Sequence, residues 1–129
     1  MSNSNEYPDN NPKTVYGLKK VALALNPFPA LIHMARAFMD GARKYGPYNW
    51  RKKKVSSTVY IHAAQRHIAQ WFDGEEQDPV SKVHHLGHAM ACLAIILDAQ
   101  AVGNLNDDRP PAANTGDLLR ALTEEEPKP

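Results

Sequence analysis

Three stretches of the chain repeat their apolar residues at helical spacing, with polar or turn-forming residues between them. In the first, Leu31, Met34, Ala35, Phe38, Met39 and Ala42 follow one another three or four positions apart. That single stripe predicts a helix from about Phe28 to Lys44. Pro29 suits its first turn, Arg43 and Lys44 suit its C-terminal dipole, and Gly46-Pro47 stops it. His33 and Asp40 fall off the stripe and are expected in solvent. A second stripe, Tyr60, Ala64, His67, Ile68 and Trp71, predicts a buried face on a helix that Ser56 or Ser57 caps and Gly74 ends. The third helix is predicted from about Ser81 to Gly103, with Ser81 or Asp78 as its cap. Leu86, Met90, Leu93, Leu97 and Ala101 form its large apolar face. Gly87, Ala91, Ala94 and Asp98 form another, where small side chains let a neighbouring helix approach and where a carboxylate needs a partner.

The segments between and around these helices carry little that can be buried. Residues 1–15 are rich in Asn, Ser, Pro and Asp and read as a disordered arm. Val21, Leu23 and Leu25 alternate as a short extended segment would, until Pro27 and Pro29 interrupt it. Lys44 to Lys54 is a basic, aromatic loop by its Gly-Pro punctuation. After Gly103 a proline pair argues against more helix, and Asp117 to Leu122 has the pattern for one or two further turns. A folded domain over residues 16–110 and a tail over 111–129 follow. Short connections place successive helices antiparallel, so the expected fold is all-α, a small antiparallel helical bundle. Its core is modest for its surface, which predicts association with a second copy as a homo-oligomer.

Composition narrows the partners. The 129 residues hold 15 basic and 14 acidic side chains, a net charge of +1. Global charge therefore gives no reason to expect nucleic acid or a membrane surface. The one cysteine, Cys92, lies in an apolar run and reads as a small buried thiol, which suits a reducing cytoplasm. The polar N-terminus does not read as a signal peptide. The longest apolar run, Ala89 to Leu97, is far short of the ~20 residues that cross a bilayer.

The chemistry is concentrated between His67 and His88. Four of the six histidines (His67, His84, His85 and His88) lie there with Glu75, Glu76 and Asp78. Carboxylate oxygens are what Mg²⁺ or Mn²⁺ prefers, which makes Glu75, Glu76 and Asp78 candidate metal ligands. His85 and His88 are three apart on a helix and can join them. Glu75, Glu76, His67 and His88 are the candidates for proton transfer. Lys44, Tyr45, Asn49, Trp50 and Arg66 offer cations for phosphate and rings that could stack a base. Each group also has a plainer reading, as a solvated acidic turn, a satisfied core histidine or a basic loop covering the core. Taken together they describe a nucleotide site, with metal-assisted attack of water on a phosphoanhydride. A non-catalytic nucleotide or nucleic-acid binding module and a structural protein with an oligomer contact are the alternatives. The His-Asp dipeptide of HD-type phosphohydrolases does not occur, and no Walker, dinucleotide or CxxC motif is present.

The segments GA-x-KYG-x-x-NW (Gly41 to Trp50), RH-x-x-x-W-x-x-GE (Arg66 to Glu75) and HL-x-HA (His85 to Ala89) occur in this order, followed by DDRP at Asp107 to Pro110. In these the chain resembles the dATP/dGTP diphosphohydrolase N-terminal family, many of whose members are phage-encoded. The resemblance implies an all-α fold related to MazG-type pyrophosphohydrolases. It also implies hydrolysis of a purine deoxynucleoside triphosphate to the monophosphate and pyrophosphate, with Mg²⁺. The E-x-x-E and E-x-x-D metal patterns of MazG-type enzymes do not stand on helices two and three here. Arg66-His67 and His85-x-x-His88 occupy those stretches, and the acids lie in the loop.

Overall fold

In the computed structural model, which describes residues 9–124, three long α-helices are joined and flanked by short ones. They are α1 (Pro12–Gly17), α2 (Phe28–Tyr45), α3 (Asn49–Lys52), α4 (Ser57–Phe72), α5 (His85–Ala101) and α6 (Thr115–Leu122). Two short strands, β1 (Val55–Ser56) and β2 (Leu105–Asn106), pair in parallel, with Val55 opposite Leu105. The fold is all-α, as the periodicity predicts. Among the described residues no helix is long and apolar enough to cross a membrane.

Residues 1–8 of the expected arm and 125–129 of the tail lie outside the described residues. The rest of the arm differs from expectation. Asn11 accepts the Lys13 backbone N–H at 2.9 Å and Pro12 opens α1, which buries no residue. The extended segment expected at Val21 to Leu25 is instead a 3₁₀ turn over Leu23–Leu25. Both the backbone and the side-chain N–H of Asn26 bond to the Leu23 carbonyl and close it.

Helix α5 is the member on which both α2 and α4 pack. His33 lies beside Gly87 and Trp50 beside Asp98, so α2 runs parallel to α5. The chain leading into α4 pairs with the chain leaving α5, and His67 meets His85, so α4 runs antiparallel to it. Flanked on two sides, α5 buries its small residues: Gly87, Ala89, Ala91 and Ala99 lie inside. Its leucine face is not the core face. Leu93 is 43% exposed and Leu97 67%, because bulky side chains would hold the neighbours apart. Likewise Ile68 (44%) and Trp71 (36%) stay exposed, because α4 is packed chiefly on α5 and buries Ala64 there. A small cluster remains at the centre: Ala37, Val83 and Ala91, with Met34 and Phe38 against it.

The helix starts also differ from the local reading. Neither Ser56 nor Ser57 caps α4 with its own side chain. Asp108 does so from fifty residues further on, accepting from Thr58 N–H at 2.8 Å, from Ser57 Oγ at 2.7 Å and from the Thr58 hydroxyl. These bonds, Thr58 foremost, hold the Asp108 carboxyl down at about 2. The third helix begins four residues later than expected. Lys82 adopts a left-handed φ of 63°, and the ring Nδ1 of His84 accepts the Leu86 N–H at 3.0 Å. Ser81 and Asp78 therefore close the loop instead of capping the helix.

Candidate active site

Because α2 and α4 lean on α5 and not on each other, a cleft of about 1160 Å³ opens between them. Its floor is α5, from His88 to Ala101, and α3 closes one end. Of the residues singled out from sequence, Lys44, Tyr45, Asn49, Trp50, His67, Asp78 and His88 line it. Glu75, Glu76, Arg66 and His85 do not.

The wall from α2 contributes a residue that periodicity misplaced. Asp40 is 9% exposed and faces the cleft, one turn before Lys44, which reaches back to it at 3.0 Å. That bond to Asp40 raises the Lys44 ammonium above its ordinary value. The signal for Asp40 in the sequence was its place on the line His33, Ala37, Asp40, Lys44, the face that meets α5. His33 on that line is half-buried, its ring 5.0 Å from that of His84. Gly46, at a φ of 86° that side chains rarely adopt, turns the chain out of α2.

Trp50 was expected as a stacking surface, and the structure corrects this. The ring is 8% exposed, wedged between Phe38 and Tyr48 with centroids 5.4 Å from each. Its Nε1–H donates to Asp98 at 2.7 Å, and Arg51 grips the same carboxylate at 2.8 and 2.9 Å. Those bonds, Arg51 first, hold the Asp98 carboxyl down at about 2. Asp98 thereby has the partners its position demanded and ties α3 to α5. The exposed rings at the cleft are Tyr45 and Tyr48.

The acidic turn does not assemble as one ligand set. Glu75 Oε1 lies 2.6 Å from His85 Nε2, and Glu76 Oε2 lies 3.1 Å from His84 Nε2. Asp78 alone turns to the cleft, where it accepts the Ser81 N–H at 2.7 Å and the Val80 N–H at 3.2 Å. The Ser81 N–H is the main cause of its lowered carboxyl. Among the described residues no three His, Cys, Asp or Glu side chains are placed to hold a metal ion together. The set Glu75, Glu76, Asp78, His85 and His88 is thus dispersed, because two of its acids pair with histidines. The carboxylates lining the cleft are Asp40, Asp78 and Asp98. Trp50 and Arg51 hold Asp98, so Asp40 and Asp78 are the ones that could hold a cation, and Mg²⁺ needs only one or two carboxylates beside substrate phosphates.

Three histidines meet where α4 crosses the start of α5. His67 Nδ1 stands 2.9 Å from His85 Nδ1, and the His67 ring stacks on His88 with centroids 4.6 Å apart. His88 Nε2 is 2.8 Å from Ser81 Oγ. Burial, then His88 and His85, push His67 down from 6.5 to about 4, and burial lowers His88 as well. His67 is therefore neutral near pH 7. Unfolded, it takes a proton near pH 6.5 that the folded protein refuses until about pH 4. Stability should fall as pH drops across that window. A second loss follows lower, as Asp98 and Asp108 protonate between 3.8 and about 2. Urea midpoints measured from pH 8 to pH 2 check this, and a His67→Gln variant should show a shallower first stage. Cys92 lies in the cleft floor with its thiol pushed up by burial, so it is no nucleophile near neutrality.

Fold and site define a class: an all-α protein with an open, largely apolar cleft lined by Lys44 and Arg51, three carboxylates and two neutral histidines. The family model described as dATP/dGTP diphosphohydrolase, N-terminal, matches residues 10–109. The chain belongs to that family. The match runs from just before α1 to Arg109, one residue past the carboxylate that caps α4, and leaves out α6. No curated protein and no solved structure matches the chain.

Proposed function

We propose that this chain hydrolyses a purine deoxynucleoside triphosphate, dGTP or dATP, to the monophosphate and pyrophosphate in the cleft between α2 and α4. The observation that carries the reading is the side chains gathered there in a chain of this family: Lys44 and Asp40 from α2, His67 from α4, Asp78 from the loop and His88 from α5. Lys44 offers a cation to phosphate oxygen, and the exposed Tyr45 ring offers a face to a base. His67, held neutral, keeps a ring lone pair available to an attacking water. Two carboxylates beside a site for a polyanion would repel it unless a divalent cation came between. Asp40 and Asp78 would hold that cation, Mg²⁺ or Mn²⁺, which when bound neutralises phosphate charge and orients the ester.

The location is tested by equilibrium binding of an α,β-methylene analogue of dGTP. Lys44→Met should weaken it on the order of 10–100-fold, the range of a charge-assisted hydrogen bond. The same change at Lys13, exposed on α1 and away from the cleft, should leave affinity as it is. Unaltered binding by the Lys44 variant would move the phosphates elsewhere.

A further inference from the structure

Glu75 and His85 lie behind the cleft wall, yet His85 contacts the cleft histidine His67 and Glu75 reaches it through His85. His85 is fully buried, and its two nitrogens face Glu75 Oε1 at 2.6 Å and His67 Nδ1 at 2.9 Å. An ionised carboxylate only accepts hydrogen bonds, so the proton on His85 sits at Nε2 and is donated to Glu75. A neutral imidazole with Nε2–H has a lone pair at Nδ1, and that lone pair can only accept. His67 must then donate from its own Nδ1, which leaves the lone pair of its Nε2 unprotonated. The other assignment would place an imidazolium at His85, a charge at a fully buried position. Stacking on His88 holds the plane of the His67 ring, whose remaining nitrogen is the one it can present to the cleft.

We infer that Glu75, His85 and His67 form a wired chain in which Glu75 and His85 are positioning residues that fix His67 as the Nδ1–H tautomer, with Nε2 free as the general base. The inference rests on the proposed hydrolase reading for its chemistry. A water oxygen bonds to the α-phosphorus, and its proton passes to His67 Nε2. The bond from that phosphorus to the bridging oxygen breaks, and pyrophosphate leaves with the electron pair. The imidazolium so formed keeps its Nδ1–H on His85, and the negative Glu75 at the far end of the chain stabilises it. Glu75 is half-exposed, so water solvates the end of the chain away from His67. Glu76 has no part in this: it meets His84, whose other nitrogen caps α5.

Long-range ¹H–¹⁵N NMR of the full chain at pH 8 reads the tautomer without any nucleotide. His67 should appear with its proton on Nδ1, the less common form of a free imidazole, and Glu75→Ala should shift it towards Nε2–H. A wild-type His67 protonated at Nε2, or a tautomer indifferent to Glu75→Ala, overturns the wiring. In turnover, Glu75→Ala should lower kcat on the order of 10–100-fold with little change in KM, while Glu76→Ala behaves as wild type. Equal kcat for the two variants would also count against it. The two claims separate cleanly: the expected tautomer without any dNTP hydrolysis defeats the hydrolase reading alone, and hydrolysis with the opposite tautomer defeats the wiring alone.

Discussion

His67→Ala is expected to lower kcat for dGTP by ~10²–10⁴-fold, the usual contribution of a positioned general base, with a small effect on KM. The expectation follows from geometry before chemistry. His67 lines the cleft, its Nδ1 is committed to His85, and its ring is held against His88. Burial keeps it neutral at working pH, with its value down at about 4. A group so poised gives up its proton readily between turnovers. His62, exposed on the same helix and outside the cleft lining, is the control, and His62→Ala should turn over as wild type. Steady-state kinetics on both variants decides it. A His67 variant with full kcat would move proton transfer to another group, His88 first among them.

Gly87→Ala should destabilise the fold, because Gly87 is the one glycine at which an added Cβ would overlap backbone atoms. A Cβ built there falls 2.5 Å from the His33 carbonyl oxygen and 2.8 Å from its carbon. These are backbone atoms of α2, and no side chain can swing aside to relieve the contact. Alanine in a helix gains about 1 kcal/mol over glycine, but overpacking of a fixed contact costs ~1–3 kcal/mol and more when helices must separate. Separation here would also loosen Ala37 from Ala91, the centre of the small core. We expect a net loss of about 2 kcal/mol by urea unfolding. Gly41→Ala is the informative counterpart: nothing lies within 4 Å of its Cβ, so it should gain rather than lose stability. Equal behaviour of the two variants would contradict the packing of α2 on α5.

The helices that were legible in the sequence are those with a single apolar stripe and a glycine stop. Periodicity and Gly46 bound α2, and periodicity and Gly74 bound α4, to within about a residue or two of the structure. Helix α5 is legible, and so is the close approach of a neighbour at Gly87 and Ala91, but not that its leucine face is the more exposed one. It is apolar nearly all round, and such a helix carries no moment to say which side is buried. Its neighbours decided, selecting the alanines and Gly87 over the leucines. The cap of α4 was beyond local reading, because Asp108 comes from the far side of α5 and is brought there by the β1–β2 pairing. In the site, the stretch from His67 to His88 supplies His67, Asp78 and His88 to the cleft lining. Assignments within it depended on pairing. Glu75 and Glu76 looked like free ligands in sequence, and the loop spends them on His85 and His84. Asp40 was passed over because one acid on a helix reads as solvated until a neighbour covers it. Glu75 keeps an importance of a different kind, exerted through His85.

The measurement that bears most directly on the central claim is the ³¹P spectrum of dGTP and of dATP incubated with the purified full chain and Mg²⁺. The monophosphate and pyrophosphate should appear together, one for one, from the first time point, and both should be suppressed by His67→Ala. A diphosphate with orthophosphate, tripolyphosphate with the free nucleoside, or an unchanged triphosphate would contradict the account.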